Sequence, residues 1–133
     1  VMVVAADSTI ASLEDLRGTT VATKASTEGY KYADSIKDEY GFTLQVYEDS
    51  PTMYTAVMQG NNAACFEDRT VVEWAIKSES MALKTVGEVI NPKEYGFAVK
   101  KGQNAELVEM FNAGLANLKS SGKYDEILAT YGF

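Results

Sequence analysis

The sequence predicts an α/β fold, a mostly parallel five-stranded sheet with helices on both faces. Short β-branched apolar runs alternate with longer segments of helical period, and glycines or polar clusters stand at the joints. With 133 residues, 46% apolar and 23% charged, the chain has the length of one domain and can bury a real core.

Val1-Met2-Val3-Val4-Ala5-Ala6 reads as a buried strand. Ser12 to Gly18 reads as a short capped helix, with Ser12 as N-cap and Asp15 at the capping-box position. Thr19 to Thr23 is the second strand. Thr27 to Tyr40 is a helix with Tyr30, Ala33 and Ile36 on its inner face, stopped by Gly41. Thr43 to Tyr47 alternates as a strand. Asp49-Ser50-Pro51 opens a helix running to Met58, with Pro51 in the first turn where its missing donor costs nothing. Ala63 to Phe66 is a strand, and Thr70 to Lys77 a helix with Val71, Trp74 and Ala75 inward. Strands are expected at Met81 to Val86 and Tyr95 to Val99. Helices are expected at Asn104 to Ser120 and Tyr124 to Tyr131, the first with Leu107, Val108, Phe111, Leu115 and Leu118 in 3.6 period. Tyr30, Tyr47 and Trp74 lie on apolar faces, which suits packing better than ligand stacking.

Composition excludes several functions. A net charge of −7 lacks the clustered basic surface that nucleic acid needs. There is no histidine, which removes Ser-His-Asp and Cys-His catalysis and most zinc sites. The single cysteine, Cys65, sits in an apolar run as a small buried hydrophobe and cannot form an intrachain disulfide. No segment has the length of a membrane span. The start at Val1, directly in a strand-like run, leads to the expectation of an excised domain.

The chemistry concentrates at strand ends. After Thr20-Val21-Ala22-Thr23 come Lys24, Ala25, Ser26, Thr27 and Glu28, a cation followed by a helix start. Helix N-termini carry backbone N–H donors and a positive dipole end, which suit a carboxylate. Phe66-Glu67-Asp68 ends another strand with two acids, which suit an ammonium. Glu48 also stands at a strand end. Together the junctions suit a zwitterion.

In this order and spacing, the segments Ser12 to Gly18, Val21 to Thr27, Tyr54 to Gly60, Phe66-Glu67-Asp68, Tyr95 to Gly102 and Gly122 to Ile127 resemble a known family. The chain is similar to the second lobe of the bacterial extracellular solute-binding proteins for polar amino acids (family 3, glutamine-binding-like) of ABC importers. The resemblance implies a type II periplasmic-binding-protein lobe over residues 1–93. Residues 94–133 would be a return crossing strand and C-terminal helices that normally pack on a first lobe whose remainder is absent. It implies that Asp68 binds the α-ammonium and that Lys24 reaches the ligand or its side chain. Thr27 and Glu28 would offer N–H groups, and Thr27 its hydroxyl, to the carboxylate, and Glu67 would contact the ligand side chain.

The ligand implied is a polar L-amino acid, glutamine first, gripped by hinge closure and presented to a membrane permease. No enzyme activity, cofactor or metal is implied. The location implied is extracellular or periplasmic, tethered at the cell surface in the parent, with the membrane met only through tether or permease. The uncovered C-terminal helices lead to the expectation of a domain-swapped or similarly intimate homo-oligomer, or of a longer parent.

Two departures from the family stand out. Ser26 occupies a position where glycine is common, and Arg69 stands beside the acids, where it could compete for them with a ligand amine. The alternatives are an enzyme of this fold resembling a cyclic amino-acid dehydratase, with Glu67 as general acid, and the effector-binding half of a transcription regulator.

Overall fold

The computed structural model describes residues 1–92 and 94–131. The chain divides into two compact units, Val1–Ile90 and Asn91–Phe133. The expected boundary after residue 93 ends on a residue outside the described ones.

The first unit is built on a five-stranded sheet in the order β3-β2-β4-β1-β5. The strands are β1 (Met2–Ala5), β2 (Thr20–Lys24), β3 (Thr43–Tyr47), β4 (Ala64–Phe66) and β5 (Leu83–Val86). β2 pairs in parallel with β3 and β4, while β1 pairs antiparallel with β4 and β5. Four strands therefore point one way and β1 alone opposes them. The link from β1 to β2 holds only one 3-10 turn, Glu14–Leu16, and passes β4, which lies between the two strands.

The expected short helix at Ser12 is this single turn. Leu13 is its N-cap, and Asp15 reaches back to accept from the N–H groups of Ala11 at 2.9 Å and Ser12 at 3.0 Å. These bonds hold the Asp15 carboxyl below its usual range.

Alternation along the strands divides the core in two. Met2, Val4, Val21, Ala64 and Phe66 face α1 (Glu28–Tyr40), joined by Leu16, Ala33 and Phe42. Val3, Ala22 and Cys65 face the other way, with Met53, Tyr54 and Val57 of α2 (Ser50–Met58) and Val72 of α3 (Arg69–Glu79). Burial pushes the Cys65 thiol up to about 12, with the nearby Glu67 charge adding to the shift.

Two inner faces differ from the expectation, α1 at one residue and α3 in phase. On α1 it is Tyr32, not Tyr30, that joins Ala33 and Ile36 in the core, its ring edge-on to Phe66 at 5.2 Å. On α3 the inward residues are Val72, Ala75 and Ile76, while Val71 and Trp74 are exposed. The run Val71-Val72-Glu73-Trp74-Ala75-Ile76 satisfies an i, i+3, i+4 pattern from either valine. The choice falls to packing, and Val72 fits beneath the sheet where a tryptophan would have to enter.

The second unit contains α4 (Ala105–Ser120) and α5 (Lys123–Tyr131), neither with a buried residue. Phe97 stacks on Phe111 with centroids 4.5 Å apart, and Lys119 lies over the Tyr124 ring. The strand expected at Tyr95 to Val99 is irregular backbone here. A strand needs a partner for its ladder, and no pairing is recorded for this segment among the described residues. No helix of the described residues is long and apolar enough to cross a membrane.

Helix α1 lies unusually close to β4. A Cβ at Gly29 would stand 2.6 Å from the Phe66 carbonyl oxygen. That atom is backbone and cannot swing aside. Gly29→Ala is therefore expected to destabilise the protein by about 1–3 kcal/mol despite alanine's better helix propensity. The urea midpoint measures it, and an unchanged or higher midpoint would refute the contact.

Candidate functional site

From β2 the chain leaves through α1 on one face to reach β3. From β4 it leaves through α3 on the other face to reach β5. The carboxyl ends of β2 and β4 are thus adjacent strand ends from which helices diverge. This is the switch point at which open α/β sheets bind ligands.

All five residues singled out from the sequence come to this rim. Lys24 closes β2, and Thr27 is the N-cap of α1 with Glu28 as its first residue. Glu67 follows β4, and Asp68 is the N-cap residue of α3. The Gly29 contact seats the first turn of α1 against the carboxyl end of β4, so Thr27 and Glu28 stand beside the chain that carries Asp68.

Thr27 caps its helix in full. Its Oγ1 accepts from the Tyr30 N–H at 3.1 Å and donates to the Lys24 carbonyl at 2.7 Å. Its hydroxyl proton is committed, so what this corner offers an anion is backbone N–H and the dipole end. Asp68 is exposed, and its side chain makes no cap hydrogen bond. Arg69 donates from Nε to Glu73 at 2.8 Å, along α3, so that part of its guanidinium is occupied on its own helix.

Glu67 is largely enclosed, its side chain 9% exposed. Its Oε2 accepts from Ser50 Oγ at 2.9 Å and from Tyr54 OH at 3.2 Å. Its Oε1 accepts from the Asp68 N–H at 3.0 Å. Lys24 Nζ donates to Ser50 Oγ at 2.7 Å and lies 3.6 Å from Glu67 Oε2. Tyr54 titrates above its usual range because burial and the Glu67 charge both oppose a phenolate, so it stays a donor.

Neither Ser50 nor Tyr54 is among the five, although Tyr54 opens one of the segments that carry the resemblance. The signal for them is their spacing, because residues four apart share a helix face. The Asp49 cap fixes that face, its Oδ1 accepting from Thr52 N–H at 2.8 Å. This bond leads the causes that hold the Asp49 carboxyl below its usual range. The cap's contribution is therefore fully present above that range and lost as pH falls from there through the lowered folded value.

A lobe that sets helix starts, a lysine and acids at the switch point of its sheet defines a small-molecule binding domain. Residues 1–133 match the family described as "ABC transporter, phosphonate, periplasmic substrate-binding protein". The chain belongs to this family of ABC-transporter substrate-binding proteins. It is 32% identical over 122 residues to the ABC transporter glutamine-binding protein GlnH of Bacillus subtilis, covering 90% of this chain and 43% of that protein. The chain thus spans less than half the length of that relative.

Among solved structures, it resembles the second substrate binding domain of a putative amino acid ABC transporter from Streptococcus pneumoniae. That likeness has 39% identity and a TM-score of 0.81, over 98% of this chain and 59% of that one. It also resembles substrate binding domain 2 of Lactococcus lactis GlnP in an open conformation. Here identity is 40% and the TM-score 0.78, over 98% of this chain and 56% of that one. These likenesses bear out the type II periplasmic-binding-protein lobe expected from the sequence.

Ser26 adopts a left-handed φ of 61° in the loop between β2 and α1. An L-residue there is strained by about 1–2 kcal/mol. Ser26→Gly should therefore raise stability by about 1 kcal/mol after the added freedom of the unfolded chain is subtracted. Thermal unfolding measures this, and a lower midpoint would show that the serine side chain contributes more than the strain takes away.

Proposed function

We propose that this chain is the amino-acid-binding lobe of an ABC importer's substrate-binding protein. It takes a polar L-amino acid, glutamine first, and presents it to a membrane permease outside the cytoplasm, from a protein tethered at the cell surface. The observation that carries the reading is that a helix N-terminus and an acid stand together at one switch point. In this reading the first turn of α1, at Thr27 and Glu28, receives the α-carboxylate through backbone N–H groups. Asp68 receives the α-ammonium through charge-assisted bonds. Lys24, backed by Glu67, meets the side chain.

The acid at Asp68 favours an amino acid over a phosphonate, since an ammonium can pair with it and a dianion cannot. The reading involves no bond made or broken, so no catalytic group and no cofactor is called for.

In the same reading, residues 94–133 are the return segment, and the rest of a first lobe, from a longer parent or exchanged with a second copy, covers its helices. Exposed Leu107, Met110, Phe111, Leu118 and Ile127 support this, since patches of that kind are seldom left bare.

Two experiments test the proposal. In the full natural chain, Asp68→Ala should weaken L-glutamine binding by about 10–100-fold, the loss of one charge-assisted contact. Calorimetric titration reads this, and unchanged affinity refutes the ammonium role. Light scattering of residues 1–133 alone should give a mass above the monomer. A clean monomer would speak against exchange between copies.

A further inference from the structure

We propose that the Lys24–Ser50–Glu67–Tyr54 cluster is a charge filter, admitting oxygen-bearing, non-cationic side chains and turning away cationic ones. The inference rests on the amino-acid reading above and deepens it.

A carboxylate at the mouth of an amino-acid site would ordinarily attract lysine or arginine ligands. Glu67 is not placed to do so. It can accept about four hydrogen bonds, and Ser50, Tyr54 and the Asp68 N–H take three of them while Lys24 stands 3.6 Å away. Its charge is balanced and its side chain is 9% exposed. An incoming guanidinium would have to break these contacts to reach it.

Lys24 is the outward member of the pair, with its side chain 29% exposed. An ammonium has three N–H donors, and Ser50 Oγ takes one of them. The ligand side chain therefore meets a donor with positive charge. An amide or carboxylate oxygen fits this, and a second cation is repelled.

Ser50 makes the arrangement possible. Its hydroxyl accepts from Lys24 at 2.7 Å and donates to Glu67 at 2.9 Å. This holds the ammonium off the carboxylate, 3.6 Å from Oε2, with its two remaining donors not taken up by Ser50. Ser50 is a positioning residue, and Tyr54 fixes the carboxylate from behind.

Titration of the full natural chain with L-glutamine, L-glutamate and L-arginine provides the test. The wild type should bind L-glutamine at least tenfold more tightly than L-arginine. Lys24→Met, which leaves Glu67 unbalanced, should lose tenfold or more for L-glutamine and gain measurable L-arginine binding. Ser50→Ala should lose several-fold for L-glutamine as the ammonium collapses onto Glu67, and Ser50→Thr should restore it.

Should Lys24→Met fail to fold by circular dichroism, the serine pair carries the test unaided. A wild type that binds L-arginine as well as L-glutamine overturns the filter and leaves the amino-acid reading standing. So do Ser50→Ala and Lys24→Met variants with wild-type selectivity. A wild type that binds none of the three overturns the filter, and one that also binds none of the remaining amino acids overturns the amino-acid reading with it.

Discussion

The carboxylate of Glu67 joins three parts of the sheet's carboxyl rim. It follows β4, faces Lys24 at the end of β2, and is held by Ser50 and Tyr54 of the helix that leaves β3. Strand ends splay where their ladders stop, and a shared ion with several donors resists that. The arrangement works because the charge is not alone. An enclosed carboxylate stripped of its partners is destabilising by about 3–5 kcal/mol, so each partner is needed for the others to be tolerated. The rim is thus cross-linked at its middle, between the start of α1 and the start of α3.

Packing supplies the second constraint. Helix α1 can reach the carboxyl end of β4 only because position 29 has no side chain. Any Cβ there would push the helix start, and with it Thr27 and Glu28, away from the chain that carries Asp68. One small residue therefore governs the distance between the two charged corners. The Thr27 cap fixes where the helix begins, and Gly29 fixes how near it comes.

Much of this was legible in the sequence because it depends on local rules. Caps at Thr27 and Asp49, the left-handed stop at Gly41 and the alternation of the strands follow from residue chemistry over a few positions. That all five residues would stand at one rim was legible because strand ends followed by charged or capping residues are visible in one dimension; the roles given to them came from the resemblance.

What was not legible needed the third dimension. The phase of α3 was ambiguous between Val71 and Val72, and only the space beneath the sheet decided it. The opposed direction of β1 is a matter of its pairing with β4 and β5, which lie some sixty to eighty positions away along the chain. Ser50 and Tyr54 read as ordinary helix residues until the fold brought Glu67 to them, a partner 17 and 13 positions away along the chain. Tyr95 to Val99 has a strand-like composition, but composition cannot supply a neighbour to pair with.

The two apolar clusters lie on opposite faces of the sheet, and neither includes Lys24, Ser50, Glu67 or Asp68. The packed layers and the polar rim therefore draw on nearly separate sets of positions, with Tyr54 the one shared member. Substitutions at the rim are coupled instead to one another: a change at Glu67 has to be met at Lys24, Ser50 or Tyr54, while the packed layers can stay as they are.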